Sequence, residues 1–296
     1  MNPFLASLLA AILFAASSTP AAPLRVVAAT NDLGAIARAV GGDAIELDVV
    51  ARPDRDPHSL PVLPSTMRAT ARADMYLEIG LSLDLWSREI IRGSRNRKLT
   101  VVDCSRVITP LEVPVGRVDA SQGDVHPEGN PHYWLDPANA VLVAELLARE
   151  FAAIDAERAT DYEARMTAFR AEIGRRLPEW SERLRGRRFV EFHRSWVYLA
   201  ARFEMEIAGR VEPLPGIPPS AHHLADLASM IRETNVPIAI RDAYHDPSAM
   251  EFLARETGVS TAVLPTSCGE PTPESFLAHF DEIAAVLGAP AAEARP

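Results

Sequence analysis

From residue 24 onward, short apolar runs alternate with stretches whose apolar positions recur every three or four residues, and the alternation stops once and then restarts. The runs LRVVAAT (24–30), IELDVVA (45–51), MYLEIG (75–80) and LTVVDCS (99–105) have the length and composition of strands. Between them NDLGAIARAVGG (31–42), a segment at 64–73 and one around LDLWSREIIRG (83–93) carry the helical period. Asn31 or Asp32 is the expected cap of the first helix, and two glycines stop it. Strands joined through helices of this length form a parallel sheet.

Residues 106–136 carry no helical pattern and are rich in Pro, Gly and Asp. Asp136 and Pro137 then start a helix over 137–154, the carboxylate capping and the proline at the first helical position. A second helical stretch, 157–185, would span on the order of 40 Å, with Pro178 expected to kink it. That length suits a strut between two lobes; a long edge helix of a single domain is the duller alternative. The β/α pattern resumes with strands at 187–193, 206–213, 237–244 and 260–266 and helices at 194–203, 220–234, 247–257 and 273–287. The expected fold is α/β: two β/α lobes with parallel four-stranded sheets joined by a long rigid linker helix, with a cleft at the C-terminal ends of the strands. The corresponding boundaries are a leader at 1–23, an N-terminal lobe at 24–156, the linker helix at 157–185 and a C-terminal lobe at 186–296.

The first 23 residues contain no charged side chain, and their apolar run from Phe4 to Ala16 is too short to span a bilayer. They read as a secretory signal peptide cleaved between Ala16 and Ala22. No cysteine follows it, so the expectation is a soluble periplasmic protein without a lipid anchor. With 30 basic against 40 acidic residues the chain is a poor match for nucleic acid. Its two cysteines, Cys104 and Cys268, could form one disulfide in an oxidising compartment, although sequence cannot place them within bonding distance.

The chemistry resides in the histidines that fall at strand ends, because only these can converge. His58 lies in the proline-bounded loop DPHSL. His132 lies in HPEGNPHYWLDP (126–137), a stiff loop braced by the following helix. His193 closes the strand RRFVEFH. Taken singly, each could be a packed or solvated side chain; together they suit a metal held between lobes. His126 and His245 are also near the cleft end, whereas His222, His223 and His279 read as solvated or packed. GxSxG, GxGxxG and P-loop patterns are absent.

The stretches DPHSL, GNPHYWLDP, EFHRSWVYLAARF and EPLPGIPPSAHHL occur in this order, and the chain from about 24 to 288 resembles the metal-receptor proteins of bacterial zinc and manganese ABC importers. The resemblance implies two β/α lobes joined by a rigid helix, with the metal between them. It places His58, His132 and His193 at the family's ligand positions. Manganese-type members commonly have a carboxylate at the third, so a histidine there is zinc-like, and three imidazoles suit Zn2+ better than Mn2+. The family's usual fourth ligand, an aspartate ending the last strand, is missing from VLPTSCGE. Asp242 is the first candidate to replace it, then water, then Cys268 with Glu270 close behind. The loop at 114–131 lacks the histidine-rich segment of many zinc receptors and offers His126 alone. The implied function is capture of Zn2+, with Mn2+ second, by a monomer that delivers it to the membrane permease of an ABC importer. A zinc-dependent hydrolase with a three-histidine site and an open position is the competing expectation, and a receptor for a metal chelate a third.

Overall fold

The computed structural model describes residues 22–116, 118–119 and 122–289. The leader expected at 1–23 lies outside the described residues except for its last two. The first strand, β1 (Leu24–Thr30), is followed by α1 (Asn31–Gly41), β2 (Ile45–Ala51), α2 (Pro64–Thr70), β3 (Met75–Glu78), α3 (Ser87–Ser94) and β4 (Thr100–Asp103). These strands form one parallel sheet in the order β2-β1-β3-β4, with Val26 paired to Leu47 on one side and to Met75 on the other. After a long irregular connection come α4 (Pro137–Ile154) and α5 (Ala159–Leu184). The pattern then repeats as β5 (Arg188–Glu191), α6 (Val197–Arg202), β6 (Glu206–Arg210), α7 (Ala221–Thr234), β7 (Ile238–Arg241), α8 (Ser248–Thr257), β8 (Ser260–Val263) and α9 (Pro273–Gly288). The second parallel sheet has the order β6-β5-β7-β8. Both sheets reverse direction of winding beside their first strand, which opens a crevice at the C-terminal strand ends.

Helix α5 is what the two halves share. Its buried residues Tyr162, Phe169, Ile173, Trp180 and Leu184 fall on one stripe at helical spacing. Tyr162 meets Phe151 of α4, whereas Phe169 and Trp180 meet Phe276 and Phe280 of α9, with ring centroids 5.2–6.1 Å apart. Trp180 Nε1 also donates to Asp281 (2.8 Å). Each such aromatic contributes roughly 1.5–3 kcal/mol when fully buried. One continuous apolar core runs from Leu24 to Leu287, and a smaller one lies under α7 and α8. The helix continues through Pro178.

Several strands end two or three residues earlier than their apolar runs predict, at Glu78, Asp103, Glu191, Arg241 and Val263. There the chain leaves the hydrogen-bonded ladder. The cap of α1 is Thr30, whose Oγ1 accepts from Leu33 N, and not Asn31 or Asp32. Those two are buried and bind the other half: Asn31 Nδ2 donates to the carbonyls of Cys268 (3.1 Å) and Gly269 (2.8 Å), and Asp32 accepts from Cys268 N (3.1 Å) and from Ser267 Oγ. Burial pushes the Asp32 carboxyl up to about 6. Cys104 and Cys268 are both buried and unpaired, so the disulfide considered above is not formed. Among the described residues no helix is long and apolar enough to cross a membrane.

Candidate metal centre

Each of the three strand-end histidines is fixed by its own neighbours. His58 lies between β2 and α2, where its backbone N–H donates to Asp56 Oδ1 (2.9 Å) and Trp86 Nε1 holds the carbonyl of Pro57 (2.9 Å). His132 precedes a short turn into α4. Tyr133 Oη donates to the carbonyl of Ile79 in the first half, and Trp134 Nε1 to that of Thr266 in the second. Asp136 caps α4 through Ala138 N (2.9 Å), as expected, and also takes a two-pronged bond from Arg202 of α6 (2.7 and 2.8 Å). The loop is thus clamped from both sides. His193 stands two residues beyond β5 and is buried.

The rings converge. Their centroids are 5.3 Å apart for His58 and His132, 5.0 Å for His58 and His193, and 5.5 Å for His132 and His193. One ligand atom of each lies within 4.8 Å of the other two, and Nε2 of His58 is 3.3 Å from Nε2 of His132. His132 Nδ1 donates to Asn130 Oδ1 (2.9 Å), and His193 Nδ1 to Glu212 Oε2 (2.8 Å). Both imidazoles therefore keep Nε2 as the free donor, oriented by the acceptor behind the ring.

Protonation follows the surroundings. Burial, helped by the other imidazoles, holds His58 and His132 well below the ordinary histidine range, so both are neutral ligands in waiting. At His193 burial acts the same way, but the hydrogen bond and charge of Glu212, with the charges of Glu191 and Asp56, outweigh it and raise the value.

Asp242 stands apart from this group. It is buried one residue past β7, and its Oδ1 accepts from Thr266 N (2.7 Å) and Thr266 Oγ1 (3.1 Å). Burial pushes its carboxyl up to about 6, with the Thr266 bonds and the charge at His193 working against the rise. Cys268 Sγ is buried against the carbonyl of Glu270 (3.2 Å), and neither residue joins the histidines. The ring of His126 is 5.1 Å from that of His58, and its Nε2 is buried without a hydrogen-bond partner. His222 is exposed, His223 Nε2 meets the carbonyl of Arg210 (3.0 Å), and His279 is packed inside α9. Asn130 and Glu212 are the supporting residues that sequence reasoning missed. Asn130 is two residues before His132, and Glu212 is two past β6, so the strand-end criterion applied to carboxylates would have found the latter.

The cavity beside the centre is lined by Asp124, His126, Asn130, His132 and His193, among others, and has a volume of about 30 Å³. That is room for about one water-sized species.

The family model described as ZnuA, zinc-uptake complex component A, periplasmic, matches residues 26–288. The high-affinity zinc uptake system protein ZnuA of Paracoccus denitrificans is 26% identical over 280 residues, covering 80% of this chain and 82% of that protein. The iron-binding protein YfeA of Yersinia pestis is 23% identical over 249 residues, covering 81% of this chain and 76% of its own length. A crystal structure of ZnuA matches with a TM-score of 0.78 at 26% identity, over 90% of this chain and 99% of that one.

Proposed function

Because the chain belongs to the zinc-uptake complex component A family, whose members are metal-binding substrate receptors of ABC importers and not enzymes, we propose that it captures Zn2+ in the periplasm and hands it, as a monomer, to a membrane permease. Family membership leaves the metal open, since the relatives include an iron binder as well as a zinc binder. The donor set supplies the choice.

The observation that carries the reading is the 3.3 Å between Nε2 of His58 and Nε2 of His132. Two nitrogens bound to a tetrahedral Zn2+ at ~2.0–2.1 Å are about 3.3 Å apart. Three imidazoles favour Zn2+ over Fe2+ and Mn2+ by the general affinity order, and Mn2+ also prefers more oxygen. The fourth position is proposed for Asp242, which must exchange its bonds to Thr266 for the ion; a bound water is the alternative. A cavity of about 30 Å³ favours a bare ion over a chelate.

Calorimetric titration of metal-stripped protein with Zn2+, Fe2+ and Mn2+ tests the choice. Zn2+ is expected to bind tightest, and equal or tighter binding of Mn2+ would overturn the zinc assignment.

A further inference from the structure

His193 belongs to a second set of potential ligands. One ligand atom each of His193, Glu212 and His245 lies within 4.8 Å of the others. His245 stacks on Phe192 (centroids 4.2 Å apart, planes 15° from parallel), and its Nδ1 accepts from Asp242 N (3.3 Å), which leaves Nε2 for an ion. Glu212 and His245, with Phe192, Tyr244 and Asp246, line a cavity of about 570 Å³ to which neither His58 nor His132 contributes. His132 and His193, but not His58, line the small cavity beside the three-imidazole centre. His193 lines only the small cavity, and Glu212, bonded to its Nδ1 (2.8 Å), lines the large one, so this pair links the two spaces.

Resting on the metal-receptor reading above, we propose that His193, Glu212 and His245 form a second, transient position for the divalent cation, a way-station through which the ion reaches and leaves the three-imidazole centre. Two imidazoles and a carboxylate are ordinary Zn2+ ligands. Sharing His193 makes stable occupancy of both positions unfavourable. An ion held here by His193 Nδ1 takes the place of the proton shared with Glu212 Oε2; the ring stays neutral by carrying its proton on Nε2, and that proton returns to Nδ1 as the ion moves to Nε2 in the centre. Without the station the ion must cross from the wide cavity to the centre in one step.

The test is stopped-flow measurement of Zn2+ association and of chelator-driven Zn2+ release, with the equilibrium affinity, in the full chain and in His245→Phe. Phenylalanine keeps the stacking on Phe192 and removes the donor; His245→Ala checks that the effect does not depend on the replacement ring. Loss of a group that acts only on the path slows both directions equally. Both rate constants are expected to fall by about tenfold, equivalent to roughly 1.4 kcal/mol on the barrier, with affinity unchanged. Unchanged rates would overturn the proposal. So would a weakened affinity with faster release alone, which would make His245 part of the centre itself. Failure of the unsubstituted chain to bind Zn2+ would remove the metal-receptor reading beneath it, a result distinguishable from either.

Discussion

Replacing Asn130 separates what holds the metal ligand from what holds the fold. Its Oδ1 accepts from both His132 N (3.0 Å) and His132 Nδ1 (2.9 Å), and its Nδ2 donates to the carbonyl of Arg194 (2.8 Å) and to Glu112 Oε2 (3.2 Å). The residue is buried, so a lost partner is not replaced by water at no cost. Asn130→Ala frees the His132 ring to rotate and to change tautomer. Losing such a partner behind a metal-bound imidazole typically weakens affinity 10–100-fold, or about 1.4–2.7 kcal/mol. Asn130→Asp keeps the acceptor and makes it charged, so zinc affinity is retained or raised. It also removes both Nδ2 donors and sets a carboxylate against Glu112, so the metal-free protein loses about 1–3 kcal/mol of stability. Chelator competition for Zn2+ at pH 7.5, beside urea denaturation of the stripped proteins, measures the two effects separately. Unchanged zinc affinity in Asn130→Ala would refute the orientation argument.

The pH dependence of zinc affinity should be shallow. His58 and His132 are already neutral, which leaves His193, whose value is raised, and below about pH 6 Asp242 with protons to surrender, so affinity falls by no more than about tenfold per unit above pH 6 and about a hundredfold per unit below it. A fall near a thousandfold per unit would show three protons leaving, and a flat profile none. Asp242→Asn is expected to weaken zinc at least tenfold if the carboxylate replaces Thr266 with the ion, comparable to loss of a supporting ligand group; affinity unchanged by titration calorimetry would give the fourth place to water. His279 is buried with Nε2 unpartnered, and burial lowers it to about 4. The neutral form is favoured in the folded chain, so its contribution is intact above pH ~6.5 and is lost as pH falls toward 4, about 3 kcal/mol in all. His279→Leu should therefore lose less stability between pH 7 and 4.5 in urea titrations, and equal losses would contradict the assignment.

The repeated strand-and-helix order was legible in the chain because the apolar runs have distinct periods, as at 24–51. The ends were less legible. The runs at 187–193 and 237–244 read as unbroken strands, yet their ladders stop at Glu191 and Arg241, before His193 and Asp242. Asn31 and Asp32 have the chemistry of caps, but tertiary bonds to Cys268 and Gly269 use it instead. The convergence of His58, His132 and His193 could be anticipated from their strand-end positions. The commitment of Asp242 to Thr266 could not, because it depends on how β7 and β8 finish side by side. The role of Asn130 is likewise visible only once the ring it orients is in place, whereas Glu212 stands at a strand end as the histidines do.

The most direct test of the central claim is metal content by elemental mass spectrometry on untagged protein taken from the periplasm, beside His132→Ala. One zinc per chain, lost in the variant, is the result expected from a three-imidazole centre. Manganese or iron in its place would contradict the argument from donor type, and zinc retained in full by the variant would contradict the site.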